Sequence, residues 1–255
     1  MIHFDYGGKY VLVTGAGRGL GFAIASAFHS AGATVFLNDR STAEVETAIA
    51  KAGGGERLIP APADLATASG AAKALAPALA RGRLDILVNN AAVNIERPIE
   101  ATDDDHWDLH LAVVLKAAFF TTRTALPLLA RAQGSVVNVA SELGLQAIAD
   151  NIAYVSAKHG LIAMTRSMAL ELAPANIRLN ALCPGTMDTE LMRDCAEASG
   201  NPDDYYRRFQ HYHPLGRIAA PEEIAAFVLC LSSPAAAFMT GAAVAIDGGS
   251  SAGRM

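Results

Sequence analysis

Three side chains in this sequence have the types and spacing of a proton-transfer device: Ser141, Tyr154 and Lys158. Tyr154 and Lys158 are four residues apart. On a helix over about 151–171 they share one face, one turn apart. A free phenol has a pKa of about 10 and is a poor base near neutrality. Lowering it by three units takes about 4 kcal/mol of differential stabilisation. A lysine in water supplies too little; a lysine plus a second positive charge in a dry site supplies enough. Tyr-x-x-x-Lys by itself is an ordinary helix pair. Its meaning depends on the elements that position it.

Those elements alternate. Tyr10–Thr14 is an apolar, β-branched run of the kind found in buried strands, and it ends in Thr14-Gly15-Ala16-Gly17-Arg18-Gly19-Leu20-Gly21. A helix-length segment, Phe22–Ala31, follows. A glycine turn opening a helix brings bare backbone and free N–H groups to a diphosphate. The spacing is Gly-x-x-x-Gly-x-Gly and not Gly-x-Gly-x-x-Gly. The next strand ends at Asp39, where an acid accepts hydrogen bonds from an adenosine ribose and repels a 2′-phosphate. This favours NAD over NADP, although Arg40 beside it is a possible partner for that phosphate. Further strands are read at 57–61, 84–89, 134–140, 177–182 and 242–246, and helices at 43–52, 66–80 (carrying Pro77), 105–130 and 221–231. Asp64-Leu65, Asn89-Asn90-Ala91-Ala92, Ser141 and Pro184-Gly185 all fall at strand ends. In a parallel sheet ligands bind there. The pattern is one doubly wound α/β domain over 1–255, with a polar segment at about 186–216 read as a lid with short helices.

The composition excludes other classes. Net charge is −5 with no basic run, which argues against nucleic acid and an anionic membrane. Cys183, Cys195 and Cys230 show no Cys-x-x-Cys spacing, arguing against a disulfide scaffold or a thiolate metal site. Asp103-Asp104-Asp105 is a helix start, and no His/Asp/Glu pattern completes a metal site. Met1–Lys9 lacks the apolar core of a leader, and Val113–Phe120 is broken by Lys116, so the reading is a soluble cytoplasmic protein.

Together these motifs resemble the short-chain dehydrogenases/reductases of about 250 residues, end to end: the glycine loop, Asp64-Leu65, Asn89-Asn90-Ala91-Ala92, Ser141, Tyr154-x-x-x-Lys158, Pro184-Gly185, Thr189 and Asp247-Gly248-Gly249. The resemblance implies a Rossmann-type, doubly wound, seven-stranded parallel sheet with helices on both faces. It implies hydride transfer between a carbinol or carbonyl carbon and a nicotinamide. Tyr154 would be the acid/base, Ser141 the group that polarises and orients the substrate oxygen, and Lys158 the ligand of the nicotinamide ribose. Gly15, Arg18, Gly19, Leu20, Gly21, Asp39, Asn90, Ala91, Pro184 and Gly185 would hold the dinucleotide, with Asp64 and Leu65 at the adenine and Thr189 at the carboxamide. A homotetramer is the common assembly.

One position departs. The family carries Val-Asn-Leu after the tryptophan here at Trp107; this chain has Val113-Val114-Leu115. That asparagine marks a helix irregularity whose carbonyl holds a water linked to the lysine. With Val114, the relay persists through the backbone, passes through His110 or Lys116, or is lost. The substrate pocket is expected from Val93, Asn94, Glu142, Leu143, Gln146, Ile148 and segment 186–213. With Ser141, Leu143 and Tyr154 as its contacts and Arg193, Arg208 and His211 nearby, it leans to a small polar alcohol or ketone such as a sugar, polyol or hydroxy acid. The leading expectation is an NAD(H)-dependent oxidoreductase. The alternatives are an NADPH-dependent 3-oxoacyl reductase and a dinucleotide-binding protein with impaired catalysis.

Overall fold

The structure is a computed structural model that describes residues 4–253. Met1–His3, at the start of the segment read for a leader, and the last two residues lie outside the described part. Seven strands, β1 (Tyr10–Val13), β2 (Thr34–Leu37), β3 (Leu58–Pro60), β4 (Ile86–Asn89), β5 (Ser135–Val139), β6 (Arg178–Pro184) and β7 (Ala243–Ile246), form one parallel sheet in the order β3-β2-β1-β4-β5-β6-β7. Alternation of side chains along each strand builds two layers. Val11, Val13, Val35, Leu37, Ile86 and Val88 pack against α1 (Gly19–Ser30), α2 (Thr42–Lys51) and α8 (Pro221–Ser232). Leu12, Phe36, Leu87, Val136 and Leu179 face the other way. They meet α3 (Gly70–Arg81), α4 (Asp104–Ala132) and α5 (Ile152–Leu172). Burial on both faces is why the strands read as unbroken apolar runs.

The short helices after β6 agree with the sequence reading, while the other details of the helices differ from it. Helix α1 begins at Gly19, three residues early, inside the glycine loop. Residues 64–69 stay outside α3, because the Asp64 carboxylate accepts from Ala66 N–H and its carbonyl from the Thr67 hydroxyl. The segment after β6 carries α6 (Glu190–Ala198) and α7 (Pro202–His211), capped by Thr189 and Asn201. Helix α4 is long and apolar enough to cross a membrane by length and composition. In this fold its Ala125, Leu128 and Leu129 belong to the core. It is not uniform: Leu111–Lys116 is a π-turn, with the Ala117 N–H bonded to the Ala112 carbonyl five residues back.

Candidate active site

Strand order reverses between β1 and β4, and a crevice of about 890 Å³ opens at that switch point. It is lined by Gly15, Gly17, Arg18, Gly19, Leu20, Gly21, Asp39, Asp64, Leu65, Asn90, Ala91 and Thr189 among others. The turn demands glycine at two points. Gly15 has φ +62°, and a Cβ there would meet Ala91 Cα at 2.9 Å; at Gly21 it would run into the Gly15 carbonyl. Thr14 and Asn90 tie the loop to β4: the Asn90 amide donates to the carbonyls of Thr14 (2.9 Å) and Gly15 (3.1 Å), and Thr14 Oγ1 accepts the Asn90 and Ala91 N–H groups. Asn89, by contrast, is structural. It is buried, accepting from Thr121 and donating to Thr122 and Asn138.

The Asp39 carboxylate sits at the end of β2, accepting the N–H groups of Gly17 and Arg40, both at 2.8 Å. The Arg40 guanidinium turns away to Glu44 at 3.5 Å and is mostly exposed. The Asp39 carboxylate and Arg40 both line this end of the crevice. A bare-backbone cradle at a helix N-terminus, an acid at the β2 end and a volume of this size fit a dinucleotide.

Ser141 leaves β5 and caps a short turn over Glu142–Gly144; its Oγ accepts the Leu143 N–H at 3.1 Å, which leaves its own proton to donate. Tyr154 is partly exposed, and Lys158 is only 2% exposed, its Nζ donating to the Val139 carbonyl at 2.7 Å. Nζ lies 5.4 Å from the centre of the Tyr154 ring. Burial pushes the phenol up to about 12, partly opposed by its hydrogen bond with Ser141 and reinforced by the Glu142 charge. Burial pushes the Lys158 ammonium down to about 7. Pro184 and Gly185 end β6, and Gly185 borders a separate cavity of about 190 Å³ with Thr186, His213 and Asp247.

Val114 does not abolish the helix irregularity. The π-turn forms without an asparagine, with Val114 buried against Ala118, Ala157 and Leu161. A shift from i→i−5 back to i→i−4 leaves one carbonyl of the turn without an amide. The side-chain relays considered from sequence are not free: both ring nitrogens of His110 are bonded and Lys116 is exposed. Val114→Asn is therefore expected to change kcat/KM by less than about threefold, since the backbone feature exists already; a gain of tenfold or more in steady-state assays would count against this.

On the substrate side, Val93, Asn94 and Ile95 line the crevice, as do Leu109 and Val113 of α4. Of the lid cations expected there, none lines the crevice, although Arg208 lies close enough to Glu96 of the 91–98 loop to feel its charge. Arg193 pairs with Asp188, at 3.0 Å, and Arg208 and His211 are exposed. Ile148 is exposed too. Glu142 is buried with Oε2 unpartnered, 3.9 Å from His213 Nδ1, and burial raises its carboxyl. Gln146 donates to Ser250.

A family model described as enoyl-(acyl carrier protein) reductase matches residues 15–251. This chain is a short-chain dehydrogenase/reductase. It is 38% identical over 251 residues to the D-beta-hydroxybutyrate dehydrogenase of Cupriavidus necator, covering 95% of this chain and 97% of that one. Its fold superposes on L-sorbose reductase from Gluconobacter frateurii, complexed with NADPH and L-sorbose, with TM-score 0.93 at 28% identity over 99% of this chain and 100% of that one. The 3-ketoacyl-(acyl-carrier-protein) reductase from Brucella melitensis, complexed with NADH, gives 0.87 at 30% identity over 97% and 100%. As a short-chain dehydrogenase/reductase, the protein is an NAD(P)-dependent oxidoreductase acting on CH–OH groups.

Sequence reasoning on this dehydrogenase overlooked His106 as well as the Glu142–His213 contact. His106 and His110, four apart on α4, face the loop after β4. The His-x-x-x-His spacing was the available signal. His213 had none: it is buried between Gly185 and Gly248, with Nδ1 donating to the Asp247 carbonyl at 2.7 Å.

Proposed function

We propose that this protein interconverts a secondary alcohol and a ketone with NAD(H), on a small polar substrate. The observation that carries the reading is the Ser141–Tyr154–Lys158 cluster at the end of β5, on a sheet whose switch-point crevice fits a dinucleotide. In the oxidising direction Tyr154 Oη takes the hydroxyl proton while Ser141 donates to the substrate oxygen. Bringing the phenol from about 12 to near 7 takes about 7 kcal/mol. One unit charge 4 Å away contributes about 4 kcal/mol at the effective dielectric of such sites. Lys158 alone falls short. When bound, the oxidised dinucleotide supplies both the hydride acceptor and the second positive charge. Lys158 would hold the nicotinamide ribose, Thr189 the carboxamide, Asp64 and Leu65 the adenine, and Gly15 to Gly21 the diphosphate, with Asn90, Ala91, Pro184 and Gly185 alongside.

Asp39 favours NAD, because its carboxylate would face a 2′-phosphate and Arg40 is engaged with Glu44. Relatives named for hydroxybutyrate and L-sorbose support a hydroxy acid, sugar or polyol. The reading includes one domain over 1–255 with residues 186–216 as its lid, and a cytoplasmic homotetramer. The half-exposed apolar side chains Phe119 and Ile152 on α4 and α5 suit a helical subunit interface.

The deciding experiment is a panel of secondary alcohols with NAD, followed by NADH absorbance; turnover of hydroxy acids or polyols supports the reading and its absence overturns it. Cofactor preference is separable. A tenfold preference for NAD is about 1.4 kcal/mol, so at equal concentrations NAD should raise the melting temperature about 3–5 °C more than NADP. A larger shift with NADP would point to the NADPH-dependent 3-oxoacyl reductase instead.

A further inference from the structure

The loop 91–98 joins β4 to α4 with no regular secondary structure, and its Val93, Asn94 and Ile95 form one wall of the crevice. Such a loop must find partners for its backbone groups. At one end the Ala91 N–H is held by Thr14, and at the other the Arg97 N–H by the Asp150 carbonyl, at 2.7 Å. Between them, among the described residues, the backbone hydrogen bonds are those of Ile95 alone, and both of its partners are histidines. Its N–H donates to His110 Nε2 at 3.2 Å, and its carbonyl accepts from His106 Nε2 at 2.9 Å.

The bonds dictate where each proton sits. His110 Nδ1 donates to the His106 carbonyl, at 2.8 Å, so the neutral ring carries its proton there and offers Nε2 as a lone pair to Ile95. His106 needs the opposite tautomer, with Nε2 protonated; its Nδ1 is buried without a partner. The two rings stand 4.5 Å apart, and His110 meets the Tyr154 ring edge-on at 6.4 Å. His110 is fully buried, at the junction of α4 with its π-turn.

We propose that His106 and His110 are positioning residues: one imidazole that donates and one that accepts, together gripping both backbone groups of Ile95 and holding the substrate-side wall at a fixed distance from Tyr154. The clamp itself is independent of the reaction assigned above; its kinetic consequence rests on that reading. Protonating His110 would turn its acceptor into a second donor against the Ile95 N–H and release the loop. The groups facing it are His106 on its own helix, Arg97 on the loop (paired with Asp103 at 3.3 Å) and Tyr154 on α5. Burial lowers the His110 pKa below the ordinary histidine value, opposed in part by its hydrogen bond to the His106 carbonyl, so the clamp stays closed at neutral pH and opens on acidification.

The test is amide hydrogen exchange at Ile95 in the full-length, dinucleotide-free protein, corrected for intrinsic rates. The wild-type amide should be protected at pH 7.5 and lose at least tenfold of that protection as the pH falls below 6. His110→Leu should exchange at least tenfold faster at pH 7.5. His110→Gln, which keeps an acceptor and does not titrate, should retain protection and lose the acid step. In turnover assays His110→Leu should raise KM about tenfold more than it lowers kcat, with His110→Gln near wild type. An unprotected Ile95 amide, a pH-independent wild type, or a His110→Gln that behaves like His110→Leu would each overturn the clamp. The wild-type pH series decides the matter even if a variant fails to fold. An intact clamp in a protein whose turnover survives Tyr154→Phe would overturn the catalytic reading alone.

Discussion

Tyr154→Phe should lower kcat by about 10³–10⁴-fold while leaving the dinucleotide dissociation constant within about threefold, measured by NADH fluorescence titration. The phenol ring packs in place, edge-on to His110 and under Lys158, and phenylalanine keeps that packing. Only the hydroxyl is lost, and with it the atom that takes or gives the substrate proton. The split between turnover and binding is the diagnostic feature. Ser141 accepts the Leu143 N–H and has a proton to give, so it is set to donate to and orient the substrate oxygen and not to act as the base. Activity of the variant within tenfold of wild type would remove the acid/base role from Tyr154.

Lys158→Met should abolish measurable turnover and yet raise the melting temperature of the dinucleotide-free protein at pH 6. Lys158 is 2% exposed, and its ammonium is held near pKa 7 against an ordinary value of 10.5. Because the folded pKa lies below the unfolded one, the unfolded chain binds more protons between pH 7 and 10.5, and stability rises with pH across that window. Below about 7 both states are protonated and the full cost of the buried charge, about 5 kcal/mol, is present. Methionine of similar shape removes that cost but strands the Val139 carbonyl, at about 1–3 kcal/mol. The net gain corresponds to roughly 5–10 °C at pH 6. It should shrink toward zero by pH 9, as the wild-type lysine becomes neutral. A variant less stable than wild type at pH 6 would show that Lys158 is a structural cation and not a strained functional one.

The fold was legible because the buried strands read as apolar runs, several of which stop at glycine, asparagine, aspartate or serine, and those stops mark the ligand-facing edge. Asp39, Asn90 and Ser141 were found by that rule, and all three stand at strand ends. What could not be read are features set by backbone register or side-chain direction. Leu111-Ala-Val-Val-Leu-Lys116 has the composition of an ordinary helix; its π-turn packs against α5, a contact the composition does not signal. Arg193, Arg208 and His211 are expected near the substrate by sequence position, but on α6 and α7 Arg193 is tied to Asp188 and Arg208 and His211 are exposed. Hydropathy gives the exposure of a polar residue poorly and its direction not at all. The histidine clamp shows the reverse: two residues with no motif behind them become legible once Ile95 is seen between them.

The π-turn at Leu111–Lys116 bears on how degenerate enzymes are told from living ones. Where a functional group is a main-chain carbonyl, the side chain at that position is free to be whatever packs best, and here Val114 packs among Ala118, Ala157 and Leu161. A census that scores this position by its asparagine would file the chain among the pseudoenzymes. Scoring the hydrogen-bond register of the helix instead would keep it.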